Sequence, residues 1–174
     1  MRHLLVWCLL WLAVLASAAG AQTLPTQVTI LALGASNTEG WGLPPSDSYP
    51  ARLELMLKAR GIDATVNNFG IAGDTTRGML ARLQVGMPDG TKLVILQPGI
   101  NDLRVGEGAD RPRNIEEIRG WLSARGIKLV MMENEMLDAL PRTEVRADGI
   151  HFTAAGYSML AERILPEVLA ALSK

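Results

Sequence analysis

Asp148-Gly149-Ile150-His151 is the segment of this sequence best suited to moving a proton. Imidazole titrates near neutrality and is the usual base for a serine hydroxyl, which is a poor nucleophile until its proton is removed. A carboxylate three residues away, with glycine between, lets one loop supply both the base and the group that sets its tautomer. The same four residues also suit a plain surface turn carrying a chance histidine. Of the two histidines in the chain, the other is His3, inside a leader-like segment. Serine chemistry that runs on histidine therefore has only His151 to use.

Three glycine-containing loops offer partners for that base. Ser36 lies in Gly34-Ala35-Ser36-Asn37-Thr38, directly after an apolar run, and is a candidate nucleophile. A serine in such a place is also a common turn former or helix N-cap. Acyl transfer needs donors aimed at a developing oxyanion, usually backbone N–H groups and a side-chain amide. Gly73 and Asn101 sit in the next two loops, where such donors would serve; a turn glycine and a helix cap are the alternatives.

These residues need a scaffold that brings distant loops together. Residues 28–33 (VTILAL), 64–69 (ATVNNF), 93–97 (LVILQ) and 128–132 (KLVMM) read as strands, the third being the clearest buried one. Residues 49–60 place Leu53, Met56 and Leu57 at helical spacing, and Gly61 stops the run. Further helices are expected around residues 78–85 and over 114–125, where Ile115, Ile118 and Leu122 share a face. A last one runs from an N-cap at Thr153 to Leu172, with Tyr157, Leu160, Ile164 and Leu165 on its apolar side. Strands alternating with helices imply βαβ units and a parallel sheet covered on both faces, a three-layer α/β/α sandwich. Right-handed crossovers put the strand C-termini on one edge, which is where open α/β sheets bind ligands.

Arg2 and His3 open the chain, and residues 4–15 (LLVWCLLWLAVL) form an apolar run too short to span a bilayer comfortably. Small residues ending Ala19-Gly20-Ala21 follow, so residues 1–21 read as a signal peptide cleaved after Ala21, with an uncleaved anchor as the competing reading. Export to the periplasm or beyond is expected. Residues 22–174 then form one domain, without a membrane span. Cys8 is the single cysteine and would leave with the signal, so neither disulfides nor thiolate metal sites are available. Loss of Arg2 takes the formal net charge from −1 to −2, with both signs mixed along the chain. That mixture argues against nucleic acid or an anionic membrane as the main partner. Glu133 and Glu135 lack a second histidine or a carboxylate cluster at ligating spacing, so no metal or cofactor is expected.

Gly34-Ala35-Ser36, Gly73-Asp74, Gly99-Ile100-Asn101-Asp102 and Asp148-Gly149-Ile150-His151 together resemble the four successive blocks of the SGNH hydrolases, also called the GDSL family. IAGDTTRGMLARL and the Asp-Gly-Ile-His block are particularly similar to the bacterial thioesterase I/protease I/lysophospholipase group. The resemblance covers nearly all of residues 22–174. It implies that Ser36 is the nucleophile, His151 the general base and then acid, and Asp148 its orienting partner. It also implies an oxyanion hole built from the backbone N–H groups of Ser36 and Gly73 with the Asn101 amide. The substrate would be a small acyl ester or thioester.

Two features depart from the family pattern. Ala35 stands where the family usually has aspartate, which bears on hydrogen bonding within that loop. Only about a dozen residues separate the fourth strand from Asp148, too few for the additional helix and strand common in the family. A truncated, flavodoxin-like parallel sheet of about four strands is therefore expected, with a more open cleft. Two rival readings remain at this stage: a carbohydrate acetyl esterase of the same fold, and a noncatalytic flavodoxin-like binding module. The second would have no use for the Asp148/His151 pair.

Overall fold

The computed structural model of the protein describes residues 27–173. The expected signal segment and its cleavage point lie outside them. Four strands, β1 (Val28–Gly34), β2 (Ala64–Gly70), β3 (Thr91–Gln97) and β4 (Lys128–Met131), form one sheet in the order β2-β1-β3-β4. All the pairings are parallel, as alternating strands and helices predict.

Side chains alternate across a strand, and the two faces of β1 and β3 feed two separate cores. Ile30, Ala32, Leu93 and Ile95 face α2 (Tyr49–Lys58) and α7 (Ala154–Leu172), meeting Leu53, Leu57, Tyr157, Leu160 and Ile164. Leu31, Leu33, Val94 and Leu96 face α3 (Thr76–Gly86) and α5 (Arg111–Ser123), meeting Met79, Leu83, Ile118 and Leu122. Each fully buried leucine or isoleucine contributes on the order of 1.5–3 kcal/mol relative to exposure, so both helix layers are held by burial on the central strands. The result is the three-layer sandwich expected from strands alternating with helices. Thr153 caps α7 as expected, accepting a hydrogen bond from the Gly156 N–H.

The sheet stops at four strands. After β4 the chain makes the five-residue helix α6 (Asn134–Asp138), a 3-10 turn (Arg142–Glu144) and a single antiparallel bridge between Val145 and Phe152. A fifth strand is replaced by this short connection.

Because β2 and β3 flank β1 on opposite sides, the loops leaving β1 and β3 diverge, which opens a crevice at their C-terminal ends. Into that edge fit two short helices, α1 (Ser36–Glu39) and α4 (Asn101–Arg104). The turn from β1 into α1 is tight because Gly70 lies beside it: a Cβ on Gly70 would stand 2.0 Å from the Glu39 nitrogen. Only glycine lets α1 sit this close to the end of β2.

Candidate active site

Ser36 is the first residue of α1, and Ala35 occupies the cap position without a side-chain capping bond. Ser36 is therefore not an N-cap. Its hydroxyl makes no hydrogen bond among the described residues, and its N–H, at the start of a helix, has no acceptor within the helix. An arginine of α3 braces this turn: Arg82 donates to the Gly34 carbonyl at 2.9 Å and pairs with Asp74 at 2.7 Å. Asp74 follows Gly73, so one largely buried ion pair ties the Ser36 turn to the Gly73 loop.

The histidine loop is folded by its own carboxylate. Asp148 Oδ1 accepts from the backbone N–H groups of Ile150 and His151, both at 2.9 Å, leaving Oδ2 to meet His151 Nδ1 at 2.9 Å. The His151 N–H foremost, then its ring and the Ile150 N–H, hold the Asp148 carboxyl well below the usual carboxylate range. In the neutral imidazole that gives Nδ1–H to this carboxylate, Nε2 carries the lone pair that a base requires. Nε2 is buried and has no hydrogen-bond partner, so it does not engage the Ser36 hydroxyl in this structure. Such contacts commonly tighten only when substrate is bound.

Further residues hold this loop, and sequence reasoning did not find them. The Trp41 ring lies 4.8 Å from the His151 ring at 34°, and Arg146 donates to the Trp41 carbonyl at 2.9 Å. Asn37 joins the two halves of the site: its amide donates to the Ile150 carbonyl at 3.3 Å and accepts from the Tyr157 hydroxyl at 3.1 Å. Burial pushes the Tyr157 hydroxyl up to about 12, so it remains a donor at ordinary pH. Tyr157 reads as an apolar-face residue, which it also is. Asn37 and Trp41 lie within five residues of Ser36, and that proximity was the available signal.

Asn101 begins α4, again without a capping bond, and donates from Nδ2 to the Asp74 carbonyl at 2.9 Å. A primary amide has a second N–H, left free by this contact. Next to it, the fully buried Asp102 accepts from the Thr76 N–H at 3.2 Å and from the Thr76 hydroxyl at 2.5 Å, and Asn114 donates to that hydroxyl at 3.0 Å. Removing a buried partner of this kind costs about 1–3 kcal/mol, so the network firmly joins the loops that carry Gly73 and Asn101. Gly73 adopts φ +80 with open space around it, which is reason enough for glycine there. Its N–H has no acceptor among the described residues.

A cavity of about 540 Å³ adjoins these groups, lined in part by Asn37, Ile100 and Ile150, chain neighbours of Ser36, Asn101 and His151. Of Leu43, Pro44, Pro45, Ile71, Val105, Met136 and Leu137, apolar residues in or near the loops of this edge, Leu137 alone lines it. Leu43 and Met136 pack against the core, whereas Ile71 and Val105 are exposed.

Residues 32–145 match the GDSL-like Lipase/Acylhydrolase family. The chain belongs to this family. The match contains Ser36, Gly73 and Asn101 and stops short of Asp148 and His151. Among family relatives, the chain is 34% identical over 134 residues to Esterase TesA of Pseudomonas aeruginosa, covering 76% of this chain and 64% of that protein. It is 35% identical over 106 residues to an arylesterase of Vibrio mimicus, covering 60% of this chain and 53% of that protein. The chain thus spans less than two thirds of the length of both. The fold is similar to the crystal structure of TesA, with a TM-score of 0.75 and 25% identity over 82% of this chain and 99% of that one. The SGNH-hydrolase family esterase AlinE4 gives 0.64 and 28% identity, over 86% and 99%.

Proposed function

We propose that this family member hydrolyses carboxylic ester or thioester bonds through an acyl-serine intermediate, with Ser36 as nucleophile. The observation that carries the reading is His151 itself: Nδ1 is held by Asp148, and Nε2 is buried, unpartnered and at the sheet edge shared with Ser36. His151 Nε2 takes the Ser36 proton as Oγ attacks the acyl carbon. The imidazolium then returns the proton to the leaving alkoxide or thiolate as its bond to carbon breaks. Water, deprotonated in turn by His151, cleaves the acyl-serine, releasing the carboxylic acid and restoring the hydroxyl. The Ser36 and Gly73 N–H groups and the free Asn101 N–H stabilise the oxyanion of both steps. The names of the esterase and arylesterase relatives support the same chemistry.

A panel of p-nitrophenyl esters, acyl thioesters and acetylated glycans tests the reading. Turnover of simple esters or thioesters supports it, and activity confined to acetylated glycans would favour the acetyl esterase alternative. Asn101→Ala is expected to lower kcat by about 10²–10³-fold, the usual effect of losing one oxyanion donor. Steady-state kinetics with KM little changed is the accompanying signature.

The apolar run of residues 4–15 and the small residues before Gln22 support removal of residues 1–21 during export, leaving one hydrolase domain over 22–174. Among the described residues, no helix is long and apolar enough to cross a membrane. Intact mass of the protein recovered from a secreting host is expected to begin at Gln22; a mass retaining residues 1–21 would contradict cleavage.

A further inference from the structure

Among the described residues, every arginine but two engages a carboxylate or a backbone carbonyl. The two exceptions are Arg104, at the end of α4, and Arg142, in the 3-10 turn, and both line the cavity beside His151. Arg104 comes from the Asn101 loop, and Arg142 from the short connection that replaces a fifth strand. The one acid in the lining, Asp138, leaves the charge of the wall positive and forms no ion pair with either. A second observation comes from the amides in the lining. Gln97, at the end of β3, lines the cavity, and its amide oxygen accepts from the Thr38 hydroxyl at 3.5 Å. With its oxygen engaged, the Gln97 amide has its N–H groups left for a ligand, and the side chain of Asn134, which makes no hydrogen bond among the described residues, lines the same cavity. Two uncommitted guanidinium groups and two amides make a donor-rich wall, suited to a group with several acceptor oxygens and negative charge.

We infer that this cavity binds an anionic group, a carboxylate or phosphate, carried by the ester substrate at a distance from the bond being cleaved. The inference rests on the hydrolase reading above and narrows it to charged acyl esters. Arg104 and Arg142 hold the anion, Gln97 and Asn134 add hydrogen bonds, and Asp138 limits affinity.

Matched substrates test it: mono-4-nitrophenyl succinate against 4-nitrophenyl butyrate places charge on the acyl side, and 4-acetoxybenzoate against its methyl ester places it on the leaving group. In at least one pair, the ratio of kcat/KM for the anionic to the neutral ester is expected to fall about tenfold in the Arg104→Gln/Arg142→Gln double variant. It should rise in Asp138→Asn and fall with added salt. The responding pair shows which half of the substrate enters. Ratios unmoved by all of these changes, in a protein that turns over both neutral esters, would overturn the anion site and leave the hydrolase reading standing. Calorimetric titration of the wild-type protein with phenyl phosphate and with benzoate separates the reverse case. Binding that the double variant loses, in a protein without turnover, would keep the anion site and reject the hydrolase.

Discussion

Ser36→Ala is expected to lower kcat/KM for 4-nitrophenyl butyrate by about 10⁴–10⁶-fold, the scale on which loss of an activated nucleophile acts. The residual rate would come from binding and oxyanion donors alone. The same variant should unfold within about 0.5 kcal/mol of the parent, because surface-accessible side chains without special contacts cost little. The Ser36 hydroxyl has no hydrogen-bond partner among the described residues, Ala35 rather than Ser36 occupies the cap, and alanine is a strong helix former. Activity and stability therefore separate at this position. A serine serving only as a turn former would show the opposite pattern, with stability falling and activity following it.

His151→Ala is expected to lower kcat/KM by a similar factor, about 10⁴–10⁶-fold, and the Ser36→Ala/His151→Ala double variant should fall little further. Members of a catalytic unit are far from additive, since either loss disables the same proton transfer. The pH dependence separates the roles of the two loop residues. Asp148 is held below the ordinary carboxylate range by the His151 N–H, the His151 ring and the Ile150 N–H. A folded value depressed in this way stabilises the loop above the unfolded value near 4 and loses that contribution as pH falls below it. Between neutrality and about pH 5 the carboxylate thus stays charged. Neither a change of kcat/KM through Asp148 nor unfolding of its loop is expected across that window. Kinetics and circular dichroism measured over the same pH series check both statements.

Much of this arrangement was legible in the residues. The strands were legible as short apolar, β-rich runs and the long helices by a period of about 3.6, and burial in the two cores follows those patterns. The Asp148/His151 pair was legible because both members lie on one loop, three residues apart. Short helices were not: α1, α4 and α6 span too few residues to show a period. The alternatives for Ser36 and Asn101 as caps could be settled only by geometry, since a cap and the residue after it look alike in sequence. The braces were hidden for another reason. Arg82 reaches back to Gly34 across 48 positions, and Tyr157 reaches Asn37 across 120, pairings that no local pattern encodes. Ala35 was read as a possible loss of loop hydrogen bonding. In the structure the turn beside it is held instead by Arg82 on the Gly34 carbonyl and by close packing at Gly70.

The central claim is that Ser36 carries the acyl group during turnover. Its most direct test is stoichiometric labelling with a p-nitrophenyl alkylphosphonate, read by intact mass and by mapping of the modified peptide. One adduct per chain is predicted, on Ser36, forming as esterase activity disappears, slowed in His151→Ala and absent in Ser36→Ala. Full inactivation with the adduct on another residue, or turnover that persists with Ser36 labelled, would contradict it.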